Sequence, residues 1–188
     1  MTPRVLAARS PLDGVKLADG IVEFPFLTQI NLRANPADAV TLARIGEALG
    51  VLPSTVPNTF RSSPDGRLQA IWLGPDEWLI IAVPGAAGSI EAALRDVTDE
   101  DAVSVVDVSA SRTTLSIRGP DACAALERNC LIDLHPSKFV AGSCAQTLFT
   151  RVNVILLKMS DAPEYRLLVR SSLAAHLASW FADAHVSK

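Results

Sequence analysis

Three cysteines, three histidines and a handful of carboxylates carry whatever reactive chemistry this sequence can offer. A cysteine nucleophile needs a base within hydrogen-bond reach, because the thiolate is what attacks. Cys123 and Cys130 flank Leu126 at the spacing of a helical core stripe, and Cys144 falls in a strand-like run. No neighbouring base can be assigned to any of them, so all three read as reduced, packed thiols. An odd number with no CxxC pair also argues against a disulfide framework or a structural zinc site. His176 and His185 lie nine positions apart on one predicted helix. At about 100° per residue they point to opposite faces and cannot share a metal. His135 precedes a proline in a loop and reads as a surface residue.

Asp107 sits inside the apolar run Val105–Val108. A carboxylate there costs free energy unless hydrogen-bonded or paired. Two roles are open: holding the Ser109–Arg112 turn through its hydroxyls and amides, or acid–base work; the first is favoured. Asp76, Glu77 and Arg112 stand at strand ends and read as solvated charges. Trp72 and Trp78 fall on adjacent predicted strands and suit a cross-strand pair in a core, with ligand stacking as the alternative. Gly85 and Gly88 precede a helix but lack the further glycine and the lysine of a phosphate cradle, so they read as a turn. GxSxG, Walker and GxGxxG patterns are missing. No catalytic, cofactor-binding or metal-binding residue is assigned.

The elements that would position these residues follow from composition and periodicity. With 188 residues, 49% hydrophobic and 20% charged, the chain has the makeup of a packed globule with a fairly apolar surface, which hints at burial against a partner. A net charge of −3 and a single Tyr leave neither a basic stripe nor a base-stacking platform, which argues against nucleic acid. No run reaches the roughly 18 apolar residues of a membrane helix, and the opening MTPRVLAARSPLDG is too weakly apolar for a signal peptide. The protein is read as cytoplasmic.

Residues 1–25, broken by Pro3, Pro11, Gly14, Gly20 and Pro25, read as an irregular N-terminal arm, followed by a single domain over 26–188 with halves at about 26–100 and 101–188. A strand over Phe26–Arg33 leads through Asn35 as cap and Pro36 to a helix with Leu42, Ile45 and Leu49 on one face. Residues 53–66 read as loop. Strands over Arg67–Leu73 and Glu77–Val83 flank a turn, and the second alternates apolar residues on both faces. Ser89 is expected to cap the next helix, and Thr98–Asp101 reads as an acidic loop. The second half offers strands over Val103–Val108 and Thr113–Arg118, then a helix carrying Cys123, Leu126 and Cys130. Strands over Cys144–Phe149, Val152–Lys158 and Tyr165–Arg170 follow, and then a helix capped by Ser172 with Leu173, Leu177, Trp180, Phe181 and Ala184 in a stripe.

The halves echo each other. INLRANPADAV (Ile30–Val40) parallels LSIRGPDACA (Leu115–Ala124), and DEWLIIAV (Asp76–Val83) parallels PEYRLLVR (Pro163–Arg170). The fold class is therefore α+β: two similar halves, mostly antiparallel sheets, helices on their faces.

Two stretches carry a resemblance. VVDVSASRTTLSIRGPDACAALERNCLIDL (Val105–Leu134) resembles a segment of the folate-dependent aminomethyltransferases of the glycine cleavage system. LGPDEWLI (Leu73–Ile80), with PFLTQINLR (Pro25–Arg33), is similar to a narrower family, the gamma subunits of heterotetrameric sarcosine oxidase, over about residues 20–182. The resemblance implies a folate-binding-domain fold of two intertwined β/α halves. It implies alpha, beta and delta subunits as partners, in a complex that oxidises sarcosine, passes the one-carbon unit to tetrahydrofolate, and makes glycine and hydrogen peroxide. FAD, FMN and NAD would then sit in the large subunits and zinc in the delta subunit, with no cofactor in this chain. Where the aminomethyltransferases carry an aspartate after a Gly-Gly turn, this sequence reads Thr150-Arg151-Val152-Asn153, and Ala110 stands where they often have histidine. The extra C-terminal domain that helps close their folate pocket is not in the sequence either. The expectation is a non-catalytic assembly subunit. The alternatives are a stand-alone folate-binding, aminomethyltransferase-like enzyme or a folate-fold module serving another oxidoreductase or demethylase complex.

Overall fold

The computed structural model describes residues 8–98 and 103–186, with side chains as far as residue 183. Ten strands and four helices follow in chain order: β1 (Ile21–Phe24), β2 (Thr28–Ala34), α1 (Ala39–Leu49), β3 (Phe60–Ser62), β4 (Leu68–Gly74), β5 (Glu77–Ala82), α2 (Ala87–Arg95), β6 (Val103–Asp107), β7 (Arg112–Arg118), α3 (Ala122–Glu127), β8 (Cys144–Phe149), β9 (Val152–Lys158), β10 (Glu164–Arg170) and α4 (Ala174–Val186). They form two five-stranded sheets, β1-β7-β10-β9-β8 and β3-β4-β5-β2-β6, with antiparallel pairing throughout.

The strand pattern dictates the layering. In β5, Trp78, Ile80 and Ala82 face one way into a core shared with Leu42, Ile45 and Leu49 of α1 and with Ile90 and Leu94 of α2. Leu79 and Ile81 face the other way and meet Ile155, Leu157 and Leu168 of the opposite sheet. The two sheets thus stack face to face. Tyr165, Leu167 and Val169 of β10 pack outward against Leu126 of α3 and Leu177 and Phe181 of α4. A strand apolar on both faces is what a central strand between a helical layer and a second sheet requires.

The repeat is exact in strand order. If β1 matches β6 and β2 matches β7, then α1 matches α3, β3–β5 match β8–β10, and both sheets read alike. Arg33 lies opposite Glu77, and Arg118 lies opposite Glu164 at the equivalent place. Both make ion pairs, at 3.9 Å and 2.6 Å, the first joined by Asp76 at 3.2 Å. The equivalent aromatics Trp78 and Tyr165 are both fully buried.

Several sequence expectations need correction. The irregular arm ends at residue 20, because Ile21–Phe24 pair with Thr114–Ile117 of β7. Each half therefore lends its first strand to the other: β1 joins the second half's sheet and β6 joins the first half's, beside β2. The strand expected from Phe26 starts at Thr28, because Phe26 takes a left-handed φ of 59° where the chain crosses between sheets. Asp38, not Asn35, caps α1 by accepting from Thr41 N at 3.0 Å, while Asn35 accepts from Ala37 N in the preceding turn. The 53–66 loop contains β3. Ser89 lies inside α2 and donates to Ala86 O, and α4 follows a 3-10 turn in which Ser171, not Ser172, is anchored, donating to Ala110 O. Cys130 leaves the line of α3, which stops at Glu127, and bridges to Phe149. Most of the expected acidic loop, residues 99–101, and the His185 and Ala184 side chains lie outside the described residues.

Candidate functional site

The chain crosses between the sheets at residues 25–27 and 108–111, and polar groups collect around the second crossover. Asp107 accepts from Ser109 N at 2.8 Å and from the Ser109 hydroxyl. Ser109 Oγ in turn accepts from Gln29 N at 2.9 Å, Val108 N donates to Gln29 O, and Gln29 Nε2 donates to Arg112 O at 2.8 Å. Asp107 thus ties the crossover to β2 through Ser109, the arrangement expected of the stapling reading. The Ser109 hydroxyl and amide hold its carboxyl below the usual aspartate value. A depressed folded pKa stabilises above the unfolded value near 3.8 and is lost as pH falls through the folded value. Asp107→Asn is therefore expected to lower urea stability at pH 7 by no more than about 1 kcal/mol, the group being exposed, with the deficit shrinking below about pH 4. Urea midpoints of both proteins across this range measure it.

Beside this crossover β7 begins and β10 ends, so Arg112 and Arg170 stand directly opposite each other across the ladder. They flank a cleft of about 480 Å³ also lined by Leu131, Gln146, Leu148, Asn153 and Ile155. Arg112 is half-buried; burial first, then the neighbouring Arg170 charge, lowers its pKa, with Glu77 opposing. Glu77 is engaged elsewhere, accepting from Asn31 Nδ2 at 2.6 Å and lying 3.9 Å from Arg33. No carboxylate lines the cleft.

Asn153 reaches the cleft from the β8–β9 hairpin. Phe149 pairs with Val152, leaving Thr150 and Arg151 as a two-residue turn with φ of 49° and 69°. Positive φ at both central residues matches the twist of the flanking strands but costs a side chain about 1–2 kcal/mol. Arg151→Gly is expected to raise stability by about 1 kcal/mol, read as a higher urea midpoint at unchanged slope.

The remaining candidates are packed or tied into local bonds. Cys144 donates to Trp72 O, and burial pushes its thiol up to about 12. Burial also raises the Cys123 thiol, which lies against Glu127 and Leu134 O. Both shifts oppose thiolate formation. His135 shares a 2.8 Å bond with Ser137. Trp72 and Trp78 are cross-strand partners, and the Trp78 indole, fully buried, donates its N–H to Ser54 O at 2.7 Å. Asp76 pairs with Arg33. Among the described residues no three His, Cys, Asp or Glu side chains are placed to hold a metal. Sequence reading treated Arg112 as a solvated strand end and did not single out Arg170. Their only signal was that both sit at strand ends, and the pairing of those ends is non-local.

The family model described as sarcosine oxidase, gamma subunit, matches residues 33–187. The chain belongs to the sarcosine oxidase gamma subunit family. The gamma subunit from Corynebacterium sp. strain P-1 is 36% identical over 165 residues, covering 86% of this chain and 77% of that protein, and the one from an Arthrobacter species is 34% identical over the same shares. A chain of the heterotetrameric sarcosine oxidase from Corynebacterium sp. U-96 superposes with a TM-score of 0.84 at 28% identity, over 96% of this chain and 95% of that one. The glycine cleavage aminomethyltransferase T from Bartonella henselae superposes with a TM-score of 0.64 at 16% identity, over 86% of this chain and 45% of that protein. This second likeness shows that the fold is shared with part of that aminomethyltransferase. As a member of this family, the chain is a subunit of an enzyme complex rather than a catalyst alone.

Proposed function

We propose that this chain is the non-catalytic assembly subunit of a cytoplasmic heterotetrameric sarcosine oxidase, which demethylates sarcosine to glycine, passes the one-carbon unit to tetrahydrofolate and produces hydrogen peroxide. The observation that carries the reading is the near end-to-end match to a chain of a heterotetrameric sarcosine oxidase. Its partners are then the alpha, beta and delta subunits. Exposed apolar side chains, among them Phe26, Val22, Val56 and Leu131, suit burial at subunit contacts. Among the described residues no helix is long and apolar enough to cross a membrane.

The FAD, FMN, NAD, zinc and tetrahydrofolate of such a complex would belong to the other subunits. Two features of this chain support that placement. A dinucleotide turn needs a strand–helix–strand unit with parallel strands, and the Gly85 turn instead leaves β5, whose neighbours β2 and β4 are both antiparallel. A one-carbon transfer centre needs a carboxylate near the reacting amine, and Asp107 is committed to Ser109.

Co-expression with the other three subunits, followed by sizing and cofactor analysis, tests the reading. The chain is expected to co-elute with them, and its omission to reduce assembled complex without changing the flavin bound per remaining subunit. A stable monomer that ignores the other subunits would overturn it. One-carbon transfer to tetrahydrofolate catalysed by the chain alone would instead favour a stand-alone aminomethyltransferase.

A further inference from the structure

We infer that the cleft between Arg112 and Arg170 is a binding site for a carboxylate group, held between the two guanidinium groups with Gln146 and Asn153 beside it and Leu148 and Ile155 against the rest of the ligand. The binding arm of the test needs only this chain's own side chains, and the co-assembly arm rests on the proposed assembly role.

Arg112 and Arg170 are brought together by the β7–β10 ladder, where directly opposed residues lie about 5 Å apart at Cα. Like charges directly opposed on one sheet face are destabilising unless something intervenes. Three arginines of the fold have acidic partners, Arg33 with Asp76 and Glu77, Arg95 with Glu91, and Arg118 with Glu164, while others, such as Arg61 and Arg151, stand singly rather than as an opposed pair. Among the described residues no carboxylate lies within ion-pair distance of Arg112 or Arg170.

The internal repeat acts as a control. Aligning DEWLIIAV with PEYRLLVR and Ile30 with Leu115 puts Leu27 and Val83 at the places of Arg112 and Arg170. The fold therefore does not need two arginines there, since its other half manages with two apolar residues. The cleft volume of about 480 Å³ falls within the range of small-ligand pockets. Planar guanidinium forks match a carboxylate in bidentate fashion, and the Asn153 amide and apolar wall suit an organic acid better than a bare inorganic ion, with Gln146 held at the rim by its bond to Leu73 O at 2.7 Å.

The test is calorimetric titration of the full chain at low ionic strength with glutarate, and with glutaramide as its neutral analogue. The variants are Arg112→Leu and Arg170→Val, which install the residues of the other half and so are suited to the backbone. Arg33→Met serves as a charge-matched control. Glutarate is expected to bind saturably, glutaramide not, and either cleft variant to weaken binding by about tenfold or more while the control leaves it unchanged. If glutarate does not bind, but Arg170→Val weakens co-assembly with the other subunits in a salt-dependent way that Arg33→Met does not, the carboxylate is supplied by a neighbouring subunit and the site stands. If the cleft variants behave as the parent in both assays, or glutarate binds them equally well, the inference is overturned.

Discussion

A chain that begins at residue 27 is expected not to fold on its own. The deletion removes β1, and with it the backbone partner of Thr114–Ile117 on β7. Ile21 and Leu12 leave the core they share with Leu115, Ile117 and Phe181. Full burial of one such side chain contributes about 1.5–3 kcal/mol, so the two together rival a large part of the roughly 5–15 kcal/mol that stabilises a whole domain. Polar bonds go too: Glu23 accepts from the Thr113 hydroxyl at 2.6 Å and from the Ser10 hydroxyl, and Arg118 N donates to Gly20 O at 2.8 Å. The new edge of β7 would present unpaired N–H and C=O groups beside an uncovered apolar face, a template for aggregation. Soluble yield and thermal unfolding by circular dichroism measure this. A soluble truncated chain melting cooperatively within about 5 °C of the intact one would contradict the exchange of strands. Gly20→Ala probes the same joint with one atom. A Cβ there would lie 2.3 Å from Arg118 O, at a φ of 78° that side chains resist.

Trp78→Ala is expected to cost about 3–5 kcal/mol, the range for deleting a fully buried large aromatic. Its ring fills the layer between the first sheet and α1 and α2, in one cluster with Ile45, Ile80 and Leu94. Its indole N–H also satisfies Ser54 O. That bond fixes a segment reaching across to the other half, where Thr59 bridges Ser143 and Phe60 N donates to Gly142 O at 2.9 Å. Losing Trp78 therefore loosens the seam between the sheets as well as the core. Trp78→Phe keeps most of the packing and drops the bond, so about 1–2 kcal/mol is expected. Urea unfolding of the three proteins separates the two contributions. If the phenylalanine variant proves as unstable as the alanine variant, the Ser54 anchor carries the effect and the packing argument fails.

The sequence by itself determined most of the elements apart from β1 and β3, together with their repetition and the family. β5 showed its burial on both faces because alternation within one strand is a local property. The parallel between Asp76–Val83 and Pro163–Arg170 was legible because equivalent strands in equivalent layers need the same pattern of sizes, and both segments became central strands, β5 and β10. The sequence reading assigned no base to the cysteines, yet Glu127, one helical turn on from Cys123, accepts from its thiol at 3.4 Å. Helix starts were read less well, because Asn35, Asp38, Ser89 and Ser172 have similar capping chemistry and backbone geometry decides among them. Only the tertiary structure decided which strands exchange. A short apolar stretch such as Ile21–Phe24 after a glycine looks like an irregular arm until β7, far along the chain, supplies its hydrogen bonds. The same holds for Arg112 and Arg170. Each is an unremarkable strand end, and what makes them a site is the register of β7 against β10, a long-range pairing that neither residue's neighbours encode.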